Sequence, residues 1–195
     1  MSHKVPLVQR LPMFQKRFTP REFKLMQGFY GFVDHVHPHV HTRSESFGIQ
    51  QGQTVIDYGC GPGRYAVEFA RLVGEEGKVI AVDLVEIALQ ETHRKLEAGG
   101  FTNYELVLAH DYDTGIADNT ADMVLAIDMF HHVPDSDAFL HEVARIAKPD
   151  ALLIFSGGHM LRRHLKIKVE RLGIWQLVEE RKEFISYRIR DGVHN

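Results

Sequence analysis

The stretch Thr54-Val-Ile-Asp-Tyr-Gly-Cys-Gly-Pro-Gly-Arg-Tyr-Ala-Val-Glu-Phe-Ala70 constrains the chain more than any other. Val55 and Ile56 form a β-branched run that predicts a short buried strand, closed by an acid, Asp57. Gly59, Gly61 and Gly63 then alternate, with Pro62 between the last two. Tyr65, Val67, Phe69, Ala70 and Val73 follow at helical spacing, so the expected order is strand, glycine turn, helix. Glycine permits positive φ and leaves no side chain between the backbone and a bound molecule. Such a turn offers its N–H groups to a ligand at a helix N-terminus, where the dipole favours negative charge.

Two ligand classes use turns of this kind. A dinucleotide fingerprint is G-x-G-x-x-G, whereas here the pattern is G-x-G-x-G and Arg64 stands where the third glycine would fall. Asp57 would repel a pyrophosphate and attract an ammonium group. The expected ligand therefore carries both a cation and a carboxylate, as an amino acid does. The stretch closely resembles the first motif of class I methyltransferases that use S-adenosylmethionine. An ordinary tight βα turn also uses glycines, and the downstream spacing is what favours the cofactor.

That spacing repeats a βα rhythm, which argues for a doubly wound parallel sheet. Lys78 to Asp83 reads as a second strand ending in an acid, and Asp83 lies about 20 residues beyond the glycine turn, the interval at which a carboxylate takes up ribose hydroxyls. A helix is expected from Ile87 to Leu96, ended by Gly99-Gly100. Tyr104 to Ala109 is the third expected strand, Asp122 to Asp128 the fourth and Ala151 to Phe155 the fifth, with Lys148-Pro149-Asp150 as a turn between a helix (Ser136 to Ala147) and that last strand. The resemblance covers roughly residues 50 to 156, including the His131-His-Val-Pro-Asp135 turn. It implies that Leu84 lies against the adenine, Asp111 accepts from the adenine amino group, Tyr112 flanks the ring, and Asp128 with Met129 borders the methionine portion. With Asp57, Gly59, Cys60, Gly61, Gly63 and Asp83, these complete the expected set for S-adenosylmethionine. The fold it implies is a Rossmann-like α/β, three-layer αβα architecture with a mostly parallel seven-stranded sheet. Beyond residue 158, a basic helix from His159 to about Leu172 and two terminal strands (Trp175 to Lys182, Glu183 to Arg190) are expected, the strands as an antiparallel pair.

Residues 1–50 form an expected N-terminal arm with helices, a candidate cover for cofactor or substrate, and residues 51–195 the catalytic domain. Thr19-Pro20-Arg21-Glu22 looks like a helix start, and Phe29 or Tyr30 could cover the cofactor or simply pack on the core. His35, His37, His39 and His41 alternate and would share one face of an extended segment. Imidazole ligates zinc, copper or nickel, yet no Cys, Asp or Glu at ligand spacing follows closely, so the expectation is a connector or pocket lining and no metal.

Charge is uneven along the chain. Residues 1–50 carry +4, residues 51–150 carry −11 and residues 151–195 carry +4. A basic C-terminal face (Arg162, Arg163, Lys166, Arg171) raises RNA as a partner, but no aromatic-rich RNA module accompanies it, and a solvated helix is expected. The single cysteine, Cys60, excludes an internal disulfide. No apolar run reaches membrane-spanning length and the first residues lack a signal-peptide core; a cytoplasmic location is the default. Methyl transfer from a sulfonium needs positioning above all, which supplies ~7–11 kcal/mol of barrier lowering. Where the acceptor must lose a proton, His131 is the expected base, with His132 beside it. A small-molecule acceptor is the leading expectation. The rivals are an RNA or protein methyltransferase and a cofactor-binding subunit without catalysis.

Overall fold

The computed structural model describes residues 39–156, 160–190 and 192. A first helix, α1 (His39–Ser46), precedes β1 (Thr54–Tyr58), α2 (Ala66–Val73), β2 (Lys78–Asp83), α3 (Glu86–Ala98), β3 (Tyr104–Leu108) and β4 (Ala121–Ile127). A short 3-10 turn at Phe130–His132 leads into α4 (Ser136–Ile146), β5 (Ala147–Ser156), α5 (Arg162–Glu170), β6 (Trp175–Glu180) and β7 (Ile185–Ile189). The seven strands lie in the order β3-β2-β1-β4-β5-β7-β6. All pairs are parallel except β5 with β7 and β7 with β6.

Strict alternation in the central strands divides the core in two. Val55, Val79, Ala81, Met123, Leu125 and Ile127 face one side, where Phe69 and Val73 of α2 and Leu96 of α3 cover them. Ile56, Ile80, Val82, Val124 and Ala126 face the other, against Phe139, Leu140 and Val143 of α4 and Val169 of α5. Strands buried on both faces need two helical layers, and each large side chain so covered contributes ~1.5–3 kcal/mol. The three-layer expectation therefore holds. The order reverses at β1, which sends α2 and α4 to opposite faces and opens a crevice at the strand C-termini.

Three local expectations change. The expected turn at Lys148-Pro149-Asp150 lies inside β5: Ala121 pairs with Ala147 and Met123 already with Leu152, so those residues bulge out of a continuous strand. The expected basic helix is shorter, with Leu161 capping it and exposed while Leu165 and Val169 are buried. The histidine run is extended only as an expectation. His35 and His37 lie outside the described residues, whereas His39 and His41 begin a helix. Val40, Ser44 and Phe47 recur at helical spacing and face the core, with Ser44 and Phe47 buried. That periodicity overrides the His-Val alternation. Residues 1–38, with the expected Thr19 helix start and Phe29 and Tyr30, are outside the described residues. Among the described residues no group of His, Cys, Asp and Glu could hold a metal ion, and no helix is long and apolar enough to cross a membrane.

Candidate active site

β1 carries Asp57 into the middle of the sheet, between Ala81 of β2 and Leu125 of β4. The residue is 2% exposed, and its Oδ2 has no hydrogen-bond partner among the described residues. Burial, helped by the negative charge of Asp83, pushes its carboxyl up to about 8. A buried carboxylate without a partner is costly and becomes neutral unless a cation is supplied. Asp57 is thus shaped to receive a positive group.

The turn after β1 is tied to β2, because the N–H groups of Gly59 and Cys60 both donate to Val82 O, at 2.8 and 3.0 Å. Gly61 donates to Asp83 Oδ2 at 2.8 Å, and Val85 N–H donates to Oδ1 at 2.9 Å. Burial raises the Asp83 carboxyl, while these backbone donors pull it back down. The glycines divide the work. At Gly59 an added Cβ would sit 2.9 Å from Met129 Cγ, so its bare backbone lets Met129 close in. Gly61, with φ +54°, has nothing within 4 Å and presents open backbone to the crevice. Gly63, with φ +70°, would put a Cβ 2.8 Å from Thr92 Cα, so it serves the packing of turn against α3.

A cavity of about 500 Å³ fills the crevice, within the range of small-ligand sites. Asp57, Gly59, Cys60, Gly61, Asp83, Leu84, Asp111, Tyr112, Asp128 and Met129 all line it. Gly63 does not. Asp111 sits in left-handed conformation, φ 57°, in a turn closed by reciprocal hydrogen bonds between His110 and Asp113 at 3.0 and 3.1 Å. Tyr112 spans to the opposite wall, where its hydroxyl accepts from Asp135 N–H at 2.9 Å. The histidine pair splits: His132 lines the cavity, and His131 lines a separate small recess with Phe130, Phe155, Ser156 and Met160. Their ring centroids are 3.8 Å apart.

Sequence reading missed three residues at the β4–β5 end of this cavity. Arg43 of α1 donates to Tyr65 Oη at 2.8 Å, to Ser156 Oγ at 3.0 and 2.7 Å, and to Asp128 Oδ2 at 3.4 Å. Tyr65 itself lines the cavity. The partners of Arg43 are far away in sequence, so no local pattern marks them.

An orphaned acid beneath an open glycine turn, with a second acid poised at the end of β2, suits a zwitterionic nucleoside, and on this sheet order it defines a class I methyltransferase domain. Comparison with known proteins agrees. The family model described as "Methyltransferase domain" matches residues 49–183, and the chain belongs to that family. Its cofactor is S-adenosylmethionine, and the residues just described fit it. The ubiquinone/menaquinone biosynthesis C-methyltransferase UbiE of Escherichia coli O1:K1 is 36% identical over 108 residues, which is 55% of this chain and 43% of that protein. This chain thus spans less than half the length of the curated relatives it matches. A SAM-dependent methyltransferase from Aquifex aeolicus superposes with TM-score 0.73 at 23% identity, covering 89% of this chain and 99% of that one. Coclaurine N-methyltransferase, solved with N-methylheliamine and S-adenosylhomocysteine, superposes with TM-score 0.54 at 26% identity, covering 61% of this chain and 35% of that one.

Proposed function

We propose that this chain transfers the methyl group of S-adenosylmethionine to a small-molecule acceptor. The observation that carries the reading is the unpartnered Asp57 Oδ2 beside the open Gly61 backbone. Asp57 would accept from the ammonium group, Asp83 from the ribose hydroxyls, and Asp111 from the adenine amino group. Leu84 and Tyr112 would hold the adenine faces, and Asp128 with Met129 would border the methionine portion. The cofactor supplies an electrophilic methyl carbon on a sulfonium. The protein's contribution is to align that carbon with the acceptor's lone pair, exclude water and lower the entropy cost of the encounter.

For an acceptor that must release a proton, we assign the proton-accepting role to His132, whose ring borders the cavity, in preference to His131. The small-molecule class is supported by the UbiE relative, a ubiquinone/menaquinone biosynthesis C-methyltransferase. It is also supported by the basic C-terminal face, where Lys166 and Arg162 pair with Glu180 and Arg171 with Asp137. Those cations are partly neutralised within the chain and offer less to a phosphate backbone.

Calorimetric titration of the full chain tests the cofactor half: S-adenosylhomocysteine should bind in the micromolar range and NAD should not, and the reverse result removes the reading. Incubation with S-adenosylmethionine and a panel of carbon, oxygen and nitrogen nucleophiles tests the acceptor half by the mass gain of one methylene. Methylation of bulk RNA or protein with none of the panel modified would overturn the small-molecule assignment.

A further inference from the structure

Arg43 does not line the cavity, yet it organises one end of it. The guanidinium reaches from α1 to three separate elements: the Tyr65 hydroxyl at the start of α2, Asp128 just past β4 and Ser156 at the end of β5. Its central carbon also lies 5.9 Å from the Tyr65 ring centroid, and that of Arg64 lies 5.7 Å from the same ring. The network continues beyond the arginine. Asp128 N–H donates to Ser156 O at 2.8 Å, and Ser156 Oγ in turn donates to Glu183 O. Asp128 is held at φ 54°, a conformation that non-glycine residues adopt at a cost and that persists where the surroundings over-determine it. Arg43 and Ser156 supply that determination from the side chain and the backbone of the same residue. The helix carrying Arg43 is itself anchored. Phe47 just beyond it is buried against Phe184, Phe69 and Tyr65, at centroid distances of 5.8, 6.2 and 6.4 Å.

We propose that Arg43 is a positioning residue that couples the docking of α1 to retention of the cofactor's amino-acid portion, by fixing Tyr65 and Asp128 in the cavity wall. The role rests on the reading that places S-adenosylmethionine in this cavity with its methionine portion beside Asp128. A planar guanidinium serves three acceptors at once where an ammonium cannot match the geometry. Removing it frees Tyr65 and Asp128 to adopt other rotamers, and the affinity lost should be confined to the part of the ligand they border.

The test is calorimetry on the full chain with two ligands. S-Adenosylhomocysteine carries the amino-acid portion, and 5′-methylthioadenosine keeps adenine, ribose and sulfur without it. Arg43→Met should weaken S-adenosylhomocysteine by about tenfold and methylthioadenosine by less than about twofold, and Arg43→Lys should restore only part of the loss. Tyr65→Phe keeps the buried ring and removes only the hydroxyl that accepts from Arg43. The double variant should lose no more than about the larger of the single losses, because both substitutions break one network. Equal weakening of both ligands by Arg43→Met, or additive losses in the double variant, would overturn the role. In either case the wild-type protein still binds S-adenosylhomocysteine and the cofactor reading stands. A wild-type protein that binds neither ligand overturns the cofactor reading and the Arg43 role with it.

Discussion

Gly61 N–H and Asp83 Oδ2 lie 2.8 Å apart, and through that bond the turn after β1 and the end of β2 form one rigid cradle. The same carboxylate accepts from Val85 N–H at 2.9 Å, so Asp83 is both a cavity-lining acid and a structural acceptor for backbone donors. Asp83→Ala should therefore weaken S-adenosylhomocysteine binding by about 1–3 kcal/mol and also lower the melting temperature of the ligand-free protein. Calorimetry and thermal melting on the same preparation check both. An unchanged affinity would mean that the ribose is held elsewhere.

Asp57 makes stability depend on pH in a direction opposite to that of a salt-bridged acid. Its carboxyl is raised to about 8 in the fold by burial and by Asp83, and about 3.9 is usual in an unfolded chain. Between those values the folded state holds a proton that the unfolded state has released. The associated stability is complete below the unfolded value and is lost as pH rises through about 8. Asp83 is shifted in the same direction and adds the same sign. The ligand-free protein should melt lower at pH 9 than at pH 6, and Asp57→Asn should flatten that slope. A slope as steep in Asp57→Asn as in wild type would show that the titrating group lies elsewhere.

The same shift reaches into ligand binding. Near pH 7 the ammonium of the ligand meets a largely protonated Asp57, and an ion pair forms only when that proton leaves. Binding of S-adenosylhomocysteine at pH 7 should then release a proton, read as a heat of binding that changes with the ionisation enthalpy of the buffer. Asp57→Asn should remove that dependence and weaken binding, since an amide gives the ammonium no counter-charge. Equal heats in phosphate and Tris for the wild-type protein would exclude the proton release.

Much of this site was legible because its signals are local. Val55, Ile56, Asp57 and the three glycines are neighbours in sequence, and strand-turn-helix chemistry at such spacing leaves few alternatives. Asp83 was legible for a related reason, as it directly ends an apolar run, whereas Asp111 was reached only through the family resemblance, since by itself it reads as a turn acid. The unread parts depend on pairings that no window of sequence contains. Arg43 meets Ser156 only because α1 docks across the ends of β4 and β5. Lys148-Pro149-Asp150 looks like a turn until the register of β4 shows that the strand runs through it. His131 and His132 are equivalent in sequence, and the 3-10 turn at Phe130–His132 alone decides which ring borders the cavity.

Gly61 and Gly63 stand two residues apart with the same sign of φ, yet their substitution should have separable consequences. At Gly63 an added methyl meets the Thr92 backbone at 2.8 Å, and an α-carbon in a helix cannot yield as a flexible side chain would. Left-handed strain of roughly 1–2 kcal/mol and overpacking of roughly 1–3 kcal/mol both apply, so Gly63→Ala should cost about 2–5 kcal/mol of stability. At Gly61 only the strain applies, because nothing in the protein lies within 4 Å of the added methyl. That methyl instead enters the space where a ligand would approach the backbone. Gly61→Ala should lose more in S-adenosylhomocysteine affinity than in stability, and Gly63→Ala the reverse. Chemical denaturation paired with calorimetry separates them. Equal stability losses with intact binding in both variants would place the ligand away from this turn, because a bound molecule resting on Gly61 cannot be indifferent to a methyl group there.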